Sequence, residues 1–216
     1  MEADKYYHIF NRTNNKEFLF KEEENYRFFL EQVKKYIVPI ADIFSYCLMP
    51  NHFHFVLRIK GDNKLNIFVE KRSKINQIKD LQGFENLEGL TSKFISQQFS
   101  NLFNSYTKAI NKKYNRKGSL FTPRFKRKEI NAEEYLKQVI IYVHLNPVHH
   151  RVSSGFEIFP HSSYRSIISN KATLIARNEI IELFDDLKNF KFSHQIKNVN
   201  ENLLTEIIDD DDSWII

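Results

Sequence analysis

The chain has 216 residues, a formal net charge of +5, 20 Phe, 10 Tyr and a single cysteine, Cys47. Such a chain can bury a real core in one generous domain with appendages; its aromatic content excludes a disordered chain, and the lone cysteine excludes an intramolecular disulfide or a multi-cysteine zinc site. The start, "MEADKYYHIF", has no signal-peptide core and no apolar run approaches a membrane span, so a soluble, intracellular, cytoplasmic protein is expected.

In chain order, "KYYHIFNR" reads as a strand, and "NRTNNKEFLF" continues it as a turn-rich loop. "KEEENYRFFLEQVKKYI" reads as a helix, with Tyr26, Phe29, Leu30, Val33 and Ile37 at helical spacing, acids at its start, and Pro39 as its stop. "ADIFSYCLM" and "HFHFVLRIK" are strand-like and meet at Pro50-Asn51, a plausible hairpin bend. Residues 61–88 mix charges with sparse apolar positions and read as a partly helical excursion. "TSKFISQQFSNLFNSYTKAINKKYN" is amphipathic, capped by Thr91 or Ser92, with Phe94, Phe99, Leu102, Phe103, Tyr106 and Ile110 inward and Gly118 as its break. "SLFTPRFKRKEI" alternates like a basic strand, in which Pro123 implies an edge or a bulge. "NAEEYLKQVIIYVHL" is a helix capped by Asn131, with Glu133 and Glu134 at its positive end and a stop at Asn146-Pro147. This succession predicts an α+β fold, helices packed on an antiparallel sheet.

Two features stand out against that background. In "MPNHFHFVL", His52 and His54 project from one face of a strand while Phe53 projects from the other. The pair can form two corners of a metal site, or can be core-edge histidines satisfied by carbonyls. The second feature is electrostatic. From Gly89 through Lys128 no acidic residue occurs, while Lys108, Lys112, Lys113, Arg116, Lys117, Arg124, Lys126, Arg127 and Lys128 are basic. Interleaved with Tyr106, Tyr114, Phe121 and Phe125, these cations suit a polyanion: phosphates are neutralised and exposed bases can stack. The alternative is a solvated basic face. Finally, Tyr142 and Asn146 lie four residues apart and share a helix face. Either alone has an ordinary structural explanation, as a core-edge aromatic and a helix stop.

Taken together, five segments in order resemble the single-tyrosine HUH transposases, in particular the REP-associated tyrosine transposases and their insertion-sequence relatives. "YYHIFNRTNNKEFLF" is similar to the opening strand and loop, "YCLMPNHFHFVL" to the signature strand, "GSLFTPRFK" to a basic strand, "YVHLNPV" to the end of the tyrosine helix, and "FPHSSYRSI" to a downstream segment. The resemblance spans Tyr6 to Ser166. It implies a ferredoxin-like or RRM-like catalytic domain over residues 1–166, with 167–216 as a C-terminal extension ending in the acidic block "DDDD". It further implies that His52, His54 and Asn146 hold Mg²⁺ or Mn²⁺, that Tyr142 is the nucleophile, and that the substrate is single-stranded DNA beside a hairpin. A 5′-phosphotyrosine intermediate, strand nicking and joining, and a possible homodimer follow from the same resemblance. The chain departs from the family pattern at His149, His150 and Arg151, after "NPV". Two other classes stay open: a binder of DNA that no longer cuts, and a water-using metal hydrolase that would draw a third histidine from His8, His144 or His161.

Overall fold

The computed structural model describes residues 1–14, 17–76 and 87–195, with side chains described except at 71–76 and 87–91. The acidic block and residues 77–86 of the expected excursion lie outside the described residues.

Four strands, β1 (Tyr6–Arg12), β2 (Ala41–Met49), β3 (His52–Ile59) and β4 (Lys126–Ile130), form one sheet in the order β2-β3-β1-β4. All three pairings are antiparallel. Pro50 and Asn51 form the turn between β2 and β3, and a register shift lies between Ile43 and Ser45. The helices are α1 (Glu23–Tyr36), α2 (Asp62–Asn76), α3 (Leu87–Lys113), α4 (Glu133–His149), α5 (Tyr164–Ile168), α6 (Arg177–Leu183) and α7 (Leu187–Gln195). The fold is α+β, as expected.

Alternation along β3 divides the molecule. Phe53, Phe55 and Leu57 point to a layer built by α1 and α3, where Phe29 meets Phe53 at 5.3 Å and Tyr106 at 4.9 Å between ring centroids. Phe103 stacks on Phe53 at 5.8 Å, and the buried Tyr106 hydroxyl donates to the Leu19 carbonyl at 2.9 Å. His52 and His54 take the opposite face, which α4 covers against β2 and β3. Residues 161–176 then run along the outer edge of β2, and Ile175, Ile180, Phe184 and Phe190 join the same hydrophobic core.

Several element ends differ from the sequence expectation. Thr91 and Ser92 do not cap α3, which starts at Leu87; a Gly such as Gly89 inside a helix costs only about 1 kcal/mol and does not stop it. Asn131 is one position too early to cap α4, whose N-cap is Ala132, extended and without a side-chain cap bond. The expected strand around "TPRFKRK" is interrupted: an isolated bridge joins Phe121 to Thr13 and continuous pairing begins only at Lys126, because Pro123 has no N–H to give and Arg124 turns the chain through a left-handed φ of 63°. Asn146-Pro147 does not end α4. The helix continues to His149, because a proline in the last turn forfeits one amide while His150 N–H still reaches the Asn146 carbonyl at 3.0 Å.

Candidate active site

β3 and α4 bring the four residues singled out above together. The antiparallel register sets His54 opposite Phe10 on β1 and Cys47 on β2, and His52 opposite Arg12 and Met49. The His52 and His54 rings meet edge to face at 5.1 Å between centroids. From above, α4 presents Tyr142 to His54, 5.8 Å between ring centroids, and places Asn146 Oδ1 3.4 Å from His52 Nε2. Helical spacing explains why both come from one helix face, one turn apart. The group is nearly closed to solvent: Tyr142 is 6% exposed, His54 4%, His52 1% and Asn146 fully buried.

The hydrogen bonds around His52 assign its tautomer. Nδ1 lies 2.7 Å from the Asn51 Oδ1 amide oxygen, which can only accept, so Nδ1 carries the proton and Nε2 presents a lone pair. That lone pair faces Asn146 Oδ1, a second acceptor, at a distance long for a hydrogen bond. Asn146 Nδ2 has no hydrogen-bond partner among the described residues. An imidazole nitrogen and an amide oxygen that converge beside a second imidazole are groups a cation can be held by. The donor set, two imidazoles and an amide oxygen, fits a divalent ion that keeps open positions. Among the described residues no group of three or more His, Cys, Asp and Glu converges as a metal site.

Burial keeps these histidines neutral. Desolvation first, then the neighbouring His150, lowers the His52 pKa to about 3; Arg12 adds to the drop and the Asn146 contact opposes it. Desolvation also holds His54 well below the ordinary imidazole value, reinforced by His52, His8 and His150. A neutral imidazole is the form that ligates.

Sequence reasoning missed three residues of this site, and raised a fourth, His8, only as a ligand in the hydrolase alternative. His8, on β1, meets His54 through its Nε2 at 3.0 Å from Nδ1, and its ring lies 6.1 Å from that of Tyr142. Strand alternation in "YYHIF" carried that signal, since His8 shares a face with Phe10 and Arg12. Asn51 was read only as a turn residue. His149 and His150, noted as departures from a pattern, are brought over the site by the extra turn of α4. The His149 ring is 6.1 Å from Tyr142, and the His150 ring is 5.1 Å from His52.

The other histidines have different settings. His144 engages His194 and Ser163, at 2.8 Å each, and His161 stacks on Tyr26 at 3.5 Å between centroids.

The basic residues fall into two groups. At the end of α3, Lys108, Lys112 and Lys117 are exposed, but Lys113 pairs with Glu22 and Glu24, and Arg116 grips both carboxylate oxygens of Glu17 at 2.8 and 2.9 Å. A segment without acids in sequence is thus countered in space by acids from residues 17–24. Around β4, register places Lys126 and Lys128 on the histidine face, opposite Phe10 and His8, and Arg127 on the other. Arg124 lies in the loop before the strand, exposed.

No family model and no curated protein matches this chain. Among solved structures, a REP-associated tyrosine transposase bound to a REP hairpin is similar to it, with a TM-score of 0.49 and 13% identity over 79% of this chain and 82% of that one. The likeness is one of fold. No helix among the described residues is long and apolar enough to cross a membrane.

Proposed function

We propose that this chain is a metal-dependent enzyme that nicks and joins single-stranded DNA through a covalent 5′-phosphotyrosine at Tyr142, as a tyrosine HUH transposase does. One observation carries the reading: Tyr142 and Asn146 on α4 meet His52 and His54 on β3, with the Asn146 amide oxygen 3.4 Å from His52 Nε2.

His52 Nε2, His54 and the Asn146 amide oxygen would hold Mg²⁺ or Mn²⁺. Bound there, such an ion supplies charge stabilisation to a phosphate oxygen. Tyr142 Oη attacks phosphorus, the bond to the 3′-oxygen breaks with that oxygen taking a proton from water, and the product is a DNA 5′-phosphate ester on the phenol with a free 3′-hydroxyl. His149, exposed and outside the ligand set, would take the phenolic proton through a water; its ring lies 6.1 Å from that of Tyr142. The aryl ester keeps the bond energy of the phosphodiester, so a new 3′-hydroxyl can reverse the step and join strands. Single-stranded substrate is expected because a flexible strand can bend a phosphate into so enclosed a site, whereas a duplex is too stiff to do so. Arg12, Lys126 and Lys128 share the histidine face with the reacting group. They would position the backbone without reading sequence.

The test is incubation of the full chain with a labelled hairpin-bearing single strand and Mn²⁺, followed by denaturing electrophoresis and mass spectrometry. A denaturation-resistant adduct on Tyr142, lost in Tyr142→Phe while DNA binding stays within a few-fold, supports the reading. An adduct on another tyrosine overturns the assignment of Tyr142. Binding with no adduct makes the chain a non-cutting binder, and cleavage with no adduct makes it a water-using nuclease.

A further inference from the structure

A groove of about 680 Å³ lies between α3 and the loop of residues 118–125, on the sheet face away from the histidines. That is within the ~300–1,000 Å³ of ordinary ligand clefts. Its lining combines aromatic, amide, hydroxyl and guanidinium groups: Phe121, Phe125, Asn104, Thr107, Arg124 and Arg127.

The groove is built rather than incidental. Its end wall, Asn11, is fully engaged: Oδ1 accepts from the Thr122 hydroxyl at 2.6 Å and from the Arg12 amide at 2.8 Å. Thr122 N–H in turn donates to the Arg12 carbonyl at 2.9 Å, tying the loop to the end of β1. Phe125 stacks on Phe99 at 4.9 Å and lies 5.6 Å from Phe103, which fixes a half-exposed ring along the groove. Between Phe125 and Pro123, Arg124 holds a left-handed backbone, a conformation that costs a side-chain-bearing residue about 1 kcal/mol or more and gathers at ligand-binding loops.

Charge selects the occupant. Arg124 and Arg127 are exposed, and among the described residues neither has a carboxylate partner, unlike Lys113 and Arg116. Two uncompensated cations beside aromatic rings and an exposed amide match a nucleotide: phosphate, π-face and hydrogen-bonding edge. Position selects which nucleotide. Asn11 and Arg12 are consecutive on β1, so one borders the groove while the other stands opposite His52 on the catalytic face.

We propose that this groove is a single-strand subsite for DNA flanking the cleaved phosphate. Its phosphate rests on Arg124 and Arg127, its base lies against Phe125, and its edge is read by Asn104 and Thr107. The inference rests on the chain acting on single-stranded DNA. It makes the groove, rather than the charged end of α3, the place where base identity is sensed.

The probe is a hairpin oligonucleotide with single-stranded flanks carrying 5-iododeoxyuridine at one position at a time. It is bound to the full-length Tyr142→Phe chain, irradiated, and mapped by mass spectrometry. One or two adjacent positions should crosslink within residues 119–127 or 100–107. In parallel, Arg124→Gly (which keeps the left-handed turn) with Arg127→Ala should weaken binding roughly tenfold and lower the salt slope by about 1.4, two phosphate contacts at ~0.7 each. Asn104→Ala, on an exposed helix position, should change base preference at the crosslinked position and leave the salt slope alone. Crosslinks confined to Lys108–Lys117 or to the histidine face, or an unchanged salt slope, overturn the subsite. Adduct formation by the wild-type chain separates the two readings. Groove crosslinks without an adduct keep the subsite and sink the catalytic role of Tyr142; an adduct without groove crosslinks does the reverse.

Discussion

His144 on α4 and His194 on α7 are joined by a buried hydrogen bond of 2.8 Å between Nδ1 and Nε2. The proton order of the chain is determined. His194 Nδ1–H donates to the Phe190 carbonyl at 2.7 Å, so His194 Nε2 accepts from His144 Nδ1–H, and His144 Nε2 accepts from the Ser163 hydroxyl at 2.8 Å. Burial keeps both imidazoles neutral, lowering the His194 pKa to about 4 and holding His144 well below its ordinary value. An unfolded histidine takes its proton near 6.5, so between about pH 6.5 and 4 the unfolded chain binds more protons and folding stability falls as pH falls. His194 alone should remove up to about 3 kcal/mol across that window, read from urea unfolding at successive pH values. His194→Phe should shallow the slope while costing ~1–3 kcal/mol at pH 7, because His144 Nδ1–H loses its acceptor. A wild-type stability that is flat from pH 7 to 4 would refute this.

His8 and His54 make the corresponding pair on the sheet face covered by α4, 3.0 Å apart with rings stacked at 17°. A partner on the second ring nitrogen orients a ligating imidazole, and its loss typically costs 10–100-fold in metal affinity. His8→Phe keeps the ring volume and should weaken Mn²⁺ binding by ~10-fold or more, measured by calorimetry or electron paramagnetic resonance on the chain without DNA. Unaltered Mn²⁺ affinity would show that His54 needs no such support.

Within the ligand set the three residues should not weigh equally. His52→Ala or His54→Ala should abolish detectable Mn²⁺ binding. Asn146→Ala should weaken it less, because water can replace a neutral oxygen ligand of a hard cation. If Asn146→Ala proves as severe as His52→Ala, the amide has a further role.

The cations at the end of α3 should separate into two behaviours. Lys112→Ala with Lys117→Ala removes two exposed charges and should lower any single-strand salt slope by up to about 1.4 with no change in melting temperature. Arg116→Ala should instead cost about 1–3 kcal/mol of stability, since its side chain is 14% exposed and bonds Glu17, Asn111 and Ser119. A stability loss from the lysine pair, or none from Arg116, would reverse that division.

What could be read from the chain alone follows from how far each signal reaches. The hairpin at Pro50-Asn51 and the shared face of His52 and His54 depend on neighbours within a few residues, and period-2 alternation reports them directly. Tyr142 and Asn146 needed only the helical period, although their meeting with β3 spans 94 residues and came from resemblance. The parts that were not legible are tertiary. Glu17, Glu22 and Glu24 answer the basic run from across a helix pair, and nothing in the acid-free segment itself announces them. His149 and His150 reach the site only because α4 runs through Pro147, a local rule that tertiary packing and a late position in the helix overrode. His144 lies inside "YVHLNPV", but nothing in the sequence pointed to His194, 50 residues on, as its partner.

The two borders of the sheet are finished in different ways. The outer border of β2 is sealed by the chain itself: Leu48 N–H donates to the His161 carbonyl, Ser163 N–H to that of Tyr46, and Ala176 N–H to that of Ile43, each at 2.9 Å. Beyond β4 no strand pairs among the described residues, and β4 reads Lys126-Arg127-Lys128-Glu129-Ile130, with Glu129 paired to Lys5. An open strand edge is a template for another copy's backbone, and a row of like charges is how such an edge resists it. Three successive cations on an open edge work against edge-to-edge pairing of copies of this chain. A polyanion that neutralises them also occupies the edge in place of a second sheet, whereas high salt neutralises them and leaves the edge bare.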